Sequence, residues 1–172
     1  VRRRLEESPA PSDLRLLAHD AARRRRRVGL RSLRQALTSR DPAVIAECKR
    51  GSPSAGVLRP DFDPGALARA YAAAGAAAIS VVTEPDHFGG DPLWIGQVRE
   101  VVDLPVLRKD FIVSVRQMQE TAVLGADAVL LIQRLLTPAT LRELLVTAAE
   151  LDLEVLLELF PDEDPAPAVA SG

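Results

Sequence analysis

Ile45-Ala46-Glu47-Cys48-Lys49-Arg50-Gly51-Ser52-Pro53-Ser54-Ala55-Gly56 is a strand-like run that ends in charge. Alternation with a period of two puts Ile45, Glu47 and Lys49 on one face. The glycines that follow lack the G-x-G-x-x-G spacing expected after the first strand of a dinucleotide-binding sheet. The design recurs downstream: Leu107 shares a face with Lys109, Leu130 with Ile132, and Leu156 with Glu158. Charges gathered at C-terminal strand ends, all on one face, describe the top of an α/β barrel lumen, a (β/α)8 TIM barrel, better than a doubly wound open sheet.

Working outward, five runs rich in aliphatic and β-branched residues read as strands: Val44 to Lys49, Ala78 to Thr83, Pro105 to Lys109, Ala128 to Ile132 and Glu154 to Glu158. Between them Pro64 to Ala74, Leu93 to Val101, Val115 to Leu124 and Pro138 to Leu151 carry apolar residues three or four apart, the helical spacing. Asp63-Pro64 and Thr137-Pro138 place a capping residue before a proline at the first helical position, and Gly75 and Gly125 fall where helices should stop. The expected organisation is an N-terminal helical extension over 1–43 and an incomplete barrel over 44–172, comprising strands one to five.

At 172 residues and 47% apolar content the chain can bury one real core. Its net charge of −2 hides an asymmetry: residues 1–50 carry fourteen basic and six acidic side chains, and the remainder is acidic. Arg23 to Arg27 lie between Leu16, Leu17 and Val28, Leu30, Leu33, which reads as an amphipathic helix with a solvated basic face. No aromatic residue precedes Phe62 to stack on bases, so no nucleic-acid partner is expected. A single cysteine, Cys48, allows no intrachain disulfide and fits a reducing, cytoplasmic setting. The longest apolar stretch, Ala70 to Val82, is too short for a bilayer, and no membrane association is expected.

Only two of the 22 basic residues are lysines, Lys49 and Lys109, and each ends a strand-like run. An ammonium can give up its proton when desolvated, which a guanidinium cannot, so lysines kept at matching positions point to acid–base chemistry. Glu47 and Lys49 could hold an anionic, phosphorylated substrate beside the small hydroxylated loop, or could form a structural ion pair at the rim. Lys109 sits between Leu107 and Phe111 and is expected to be partly desolvated; Asp110 could instead clamp it as a surface pair. Glu158 is a third charge at a strand end. His87 reads as a solvated loop residue and His19 as a helix-surface residue, Trp94 and Tyr71 as packing residues, and no metal-ligand spacing is visible.

Glu47 to Ser54, Arg59 to Pro64, Ala78 to Glu84, Pro105 to Ile112 and Gly125 to Ile132 together closely resemble the indole-3-glycerol phosphate synthase family. The resemblance implies a (β/α)8 barrel with an N-terminal extension, acting in tryptophan biosynthesis as a carboxy-lyase without metal or organic cofactor. The reaction it implies closes the indole ring of 1-(2-carboxyphenylamino)-1-deoxyribulose 5-phosphate with loss of carbon dioxide and water. It makes Lys109 a general acid at the ribulose carbonyl and Glu158 its counterpart in dehydration. Lys49 would hold the substrate and could donate a proton, Glu47 would orient Lys49, and Ser52 would reach the phosphate. Phe88, Phe111, Leu130 and Ile132 would wall the anthranilate ring. Cys48 departs from the family pattern but faces away from the lumen. The family's polar groups on strands six to eight have no counterpart before Gly172, so the chain alone is expected to be feeble or inactive, or to associate through open sheet edges. Two further readings remain: a non-catalytic half-barrel assembly module, and a related phosphate-binding barrel such as phosphoribosylanthranilate isomerase. The latter would need Cys48 to face inward.

Overall fold

In the computed structural model, which describes residues 11–162, strands and helices alternate where the apolar spacing and capping residues put them. Helices α1 (Pro11–Val28) and α2 (Leu33–Thr38) precede strand β1 (Ile45–Cys48) and a small antiparallel hairpin of β2 (Gly51–Ser52) and β3 (Gly56–Val57). Then come α3 (Pro64–Ala73), β4 (Ala78–Val82), α4 (Pro85–Phe88), α5 (Trp94–Arg99) and β5 (Val106–Lys109). Helix α6 (Val115–Leu124), β6 (Ala128–Ile132), a 3-10 turn over Gln133–Leu135, α7 (Pro138–Glu150) and β7 (Glu154–Glu158) complete the series. The parts of the expected extension and barrel at 1–10 and 163–172 lie outside the described residues.

Each helix start has a local cause. Asp63 Oδ1 accepts from Ala66 N at 2.9 Å and Thr137 Oγ1 from Thr140 N at 3.1 Å, each just ahead of a proline that needs no N–H partner. Helix α6 stops at Gly125, whose φ of 87° is the left-handed turn that releases the chain into β6.

Strands β1, β4, β5, β6 and β7 form one parallel sheet in chain order. A doubly wound sheet reverses its strand order at a switch point; this one does not, and sequential order is that of a barrel wall. The described strands are five of the eight that such a barrel has. The register aligns Glu47, Ser80, Leu107, Ala128 and Glu154 as one inward layer, with Leu130 beside Leu156 and Ile132 beside Glu158 above it. The opposite face of the sheet is the core. Cys48, Ile79, Val81 and Val106 pack with Ala68, Ile95 and Val98 of α3 and α5, and Val129 and Leu131 with Met118, Leu141 and Leu144 of α6 and α7. Cys48 therefore faces away from the lumen, which removes the basis for the isomerase reading, and Trp94 packs against Phe62 with ring centroids 4.5 Å apart.

The lumen floor is apolar and closed by the extension. Leu33 of α2 packs on Ala78, Leu107 and Ala128 near the strand starts, a burial that stabilises by about 2 kcal/mol. Glu154 is consumed in holding that helix, accepting from Ser32 Oγ at 2.6 Å and Arg34 N at 2.9 Å.

The reading of α1 needs correction. Its buried stripe is Leu14, Ala18, Ala22 and Arg25, while Leu16 is 69% exposed and Leu17, Val28 and Leu30 are exposed too. The small alanines let α1 lie close against α6, so shape complementarity, not side-chain hydrophobicity, chooses the face. Arg25 is not solvated: it is 6% exposed and its guanidinium donates to the carbonyls of Ala126 and Leu151.

Candidate active site

At the C-terminal end of the sheet, Lys109 closes β5 beside Val82, the last residue of β4. With Leu130 and Ile132 of β6, and Glu84, Phe88, Asp110 and Phe111 of the following loops, they line one cleft. The Phe88 and Phe111 rings stand 6.4 Å apart at 59°, and His87 meets Phe111 edge-on at 6.5 Å. The fold thus gathers Lys109, Phe88, Phe111, Leu130 and Ile132 from three strand ends into a largely apolar groove holding an ammonium.

The other candidates stand around this cleft. Glu158 ends β7 as the register neighbour of Ile132, half-buried at the rim. Lys49 lies one residue beyond the Cys48–Val81 pair, which sets it next to Val82 on the inward face. Its Nζ is 2.7 Å from Glu47 Oε1, and both side chains are 30% exposed. That is the rim ion pair foreseen as one alternative, and its geometry also leaves Lys49 facing solvent and able to meet an anion. Ser52 is turned to local use: its Oγ accepts from Ala55 N at 3.2 Å and lies 3.4 Å from Ser54 Oγ. The hairpin that carries it was not foreseen, although it lies against α4.

The loop after β4 also holds a one-turn helix where a plain loop was expected. Glu84, 4% exposed, caps α4 and accepts from the backbone N–H groups of Asp86, His87 and Phe88 at 3.0, 2.7 and 3.2 Å. Burial pushes its carboxyl up, but these donors together with the His87 side chain outweigh that and hold it below the ordinary carboxylate range. Glu84 thereby fixes Phe88. A sequence signal existed in Glu84-Pro85 followed by Gly89, but four residues are too few for periodicity to register. The expected solvation of His87 holds, its side chain being mostly exposed.

Asp110 does not clamp Lys109. It is buried, and its Oδ2 accepts from Thr83 Oγ1 at 2.7 Å and Arg108 Nη2 at 3.0 Å, on the far side of β5 from the ammonium. Alternation along the strand dictates this, since Arg108 and Asp110 share the face opposite Lys109. Ser80, inward on β4 beside Glu47, is buried with an Oγ that finds no hydrogen-bond partner among the described residues. No group of three or more His, Cys, Asp or Glu side chains among the described residues is placed to hold a metal ion. No helix of the described residues is long and apolar enough to cross a membrane.

Chemically, the cleft offers a proton donor against an aromatic wall, with a second ammonium paired to a carboxylate on β1, two strands from β5, and a second carboxylate at the rim. Known proteins resemble this chain along most of its length. The family model described as indole-3-glycerol phosphate synthase matches residues 2–172. An indole-3-glycerol phosphate synthase from Rhodopirellula baltica is 51% identical over 128 residues, 74% of this chain and 49% of that protein. One from Desulfotalea psychrophila is 47% identical over 143 residues, covering 83% of this chain and 55% of its own length. One from Neisseria meningitidis serogroup C is 47% identical over 151 residues, 88% of this chain and 57% of that protein. The chain spans about half the length of the curated relatives it matches.

Proposed function

Because this chain belongs to the indole-3-glycerol phosphate synthase family, we propose that its cleft is the ring-closing half of such a site, acting on 1-(2-carboxyphenylamino)-1-deoxyribulose 5-phosphate. The observation that carries the reading is convergence: Lys109, Phe88, Phe111, Leu130 and Ile132, chosen from sequence, line one cleft. The aryl ring would lie between Phe88 and Phe111 and the aliphatic floor of β6, which sets its carboxylate-bearing carbon toward the ribulose carbonyl. Lys109 would donate a proton to the carbonyl oxygen as the new carbon–carbon bond forms. Without that proton an alkoxide would develop in a partly apolar groove, where unpaired charge is expensive.

Loss of carbon dioxide then restores one double bond of the ring system. Loss of water, with the hydroxyl leaving as its oxygen is protonated and a ring proton going to a base, completes the indole. Glu158, at the rim beside Ile132, is the acid–base partner for that step. Lys49, oriented by Glu47 at 2.7 Å, would meet the substrate carboxylate or phosphate.

The test is indole fluorescence during incubation of the purified chain with the carboxyphenylamino-deoxyribulose phosphate, in parallel with Lys109→Ala. Turnover in the chain that is abolished in Lys109→Ala supports the reading. Turnover unchanged in the variant removes Lys109 from its role. Absence of both turnover and binding of this substrate removes the substrate assignment.

A further inference from the structure

Behind the sheet from Lys109 lies a polar cluster that the proposed chemistry does not use. Arg108 is 0% exposed in the middle of the core face, an expensive place for a guanidinium. Its Nε donates to Thr83 Oγ1 at 3.2 Å, Nη1 to Thr121 Oγ1 at 2.9 Å and to the Gln117 carbonyl at 3.1 Å, and Nη2 to Asp110 Oδ2 at 3.0 Å. It also faces the Glu120 carboxylate at 3.9 Å. These partners sit on three elements: the end of β4, the end of β5 and helix α6. Volume alone does not call for this, because an apolar side chain would fill the same space without the desolvation cost.

The cluster's outputs reach the two residues that flank Asp110, and Val113 beyond them. Thr83, gripped by Arg108 and Asp110 through its hydroxyl, donates its backbone N–H to the Lys109 carbonyl at 3.0 Å. Asp110 Oδ1 accepts the Phe111 N–H at 2.9 Å. Gln117, whose carbonyl Arg108 holds, donates from Nε2 to the Phe111 carbonyl at 2.8 Å and accepts from Val113 N at 2.9 Å. Lys109 and Phe111 are thus held through their backbones, while their side chains line the cleft.

We propose that Arg108 is a positioning residue for the cleft: through Thr83, Asp110 and Gln117 it sets the direction of the Lys109 ammonium and the angle of the Phe111 ring. The inference deepens the functional reading above and rests on it for the meaning of that direction. The structural part is measurable without substrate. Lys49 and Lys109 are the only lysines, so reductive ¹³C-methylation of the chain gives two side-chain signals, assigned with Lys49→Arg and Lys109→Arg. Lys49 is the internal control on the same face of the same sheet.

Thr83→Val keeps volume while deleting the hydroxyl that Arg108 and Asp110 share; Thr83→Ser restores it. Asp110→Asn preserves shape should Arg108→Met fail to fold. The expected result is a Lys109 signal that narrows and moves toward the position of a freely rotating lysine in Thr83→Val and Asp110→Asn. The Lys49 signal should stay fixed, and Thr83→Ser should return the wild-type pattern. Equal movement of both signals would mean general loosening of the sheet and overturns the proposal, as does no movement of either. Where turnover is measurable, kcat should fall on the order of tenfold to a hundredfold with KM nearly constant, the mark of misplaced geometry. If the substrate neither turns over nor disturbs either signal in the unaltered chain, the catalytic reading fails while the positioning result still stands or falls on the two lysine signals.

Discussion

Replacing Arg25 with alanine should cost about 3 kcal/mol, while Arg24→Ala and Arg27→Ala in the same run should each cost less than about 0.5 kcal/mol. The contrast comes from geometry. The Arg25 guanidinium reaches the carbonyls of Ala126 and Leu151 and joins α1 to the residues that open β6 and close α7. Hydrogen bonds from a charged donor contribute about 1.5–3 kcal/mol each, so the pair gives roughly 3–6 kcal/mol before the cost of burying the charge. That cost has a direction: burial draws the guanidinium's pKa down, and the Asp127 and Asp152 carboxylates only partly restore it. The hydrogen bonds prevail because their loss strands two buried carbonyls, and the lost arginine stem adds a packing penalty of about 1 kcal/mol. Urea unfolding followed by the fluorescence of Trp94, the sole tryptophan, checks this. At a slope of about 2 kcal/mol/M the Arg25→Ala midpoint should fall by about 1.5 M. If the Arg25→Ala midpoint coincides with those of Arg24→Ala and Arg27→Ala, the clasp contributes nothing and the reasoning fails.

A Cβ at Gly90 would stand 2.6 Å from the Val82 carbonyl oxygen and 2.7 Å from the Thr83 carbonyl carbon, both backbone. Gly90→Ala should therefore destabilise by about 2 kcal/mol or more and disturb the end of β4, read as a lowered melting temperature and a changed Lys109 signal. Cys48 is buried and its thiol is pushed up to about 12, first by burial and then by the Glu47 charge, so native protein at mildly alkaline pH should resist an aromatic disulfide reagent until denaturant is added. Rapid reaction of the native chain would contradict that burial. Glu84 has a folded pKa below its ordinary 4.5, so its stabilisation is present above that value and is lost as pH falls through the folded pKa. Glu84→Gln should flatten the stability profile on the acid side, as pH falls below the ordinary 4.5 and through the lowered folded pKa, and a profile parallel to wild type would refute the assignment.

Much of the architecture was legible because local signals agreed with one another. Strand runs, Asp63-Pro64, Thr137-Pro138 and Gly125 each named the same boundaries that the structure shows, within a residue or two. Lys109 stood out because lysine is scarce in this chain, and the cleft forms around it. What escaped was decided by packing. The α1 stripe was misjudged because leucines outweigh alanines on any hydropathy scale, yet a close approach to α6 selects the alanines. A buried arginine inside a basic run carries no local mark at all. Asp110 was nearer to hand: parity along β5 separates it from Lys109, but an adjacent opposite charge invited a simpler pairing. Ser52 shows the converse limit, since a hydroxyl in a turn is most readily spent on the turn itself.

An ion pair braces the strand starts on the outer side of the barrel wall, and this has an evolutionary consequence. Arg99 and Asp127 meet at 2.6 Å, and Asp127 also accepts the Val106 N–H at 2.9 Å, at the start of the strand whose end bears Lys109. Three residue steps of strand separate those two points, about 10 Å, the distance beyond which substitutions generally add without interacting. Changes that trade stability at the strand starts and changes that retune the cleft should therefore show little epistasis. A mutational lineage could accumulate one set, then the other, in either order, and a library screened for melting temperature should enrich positions largely different from those enriched by a screen for ligand binding.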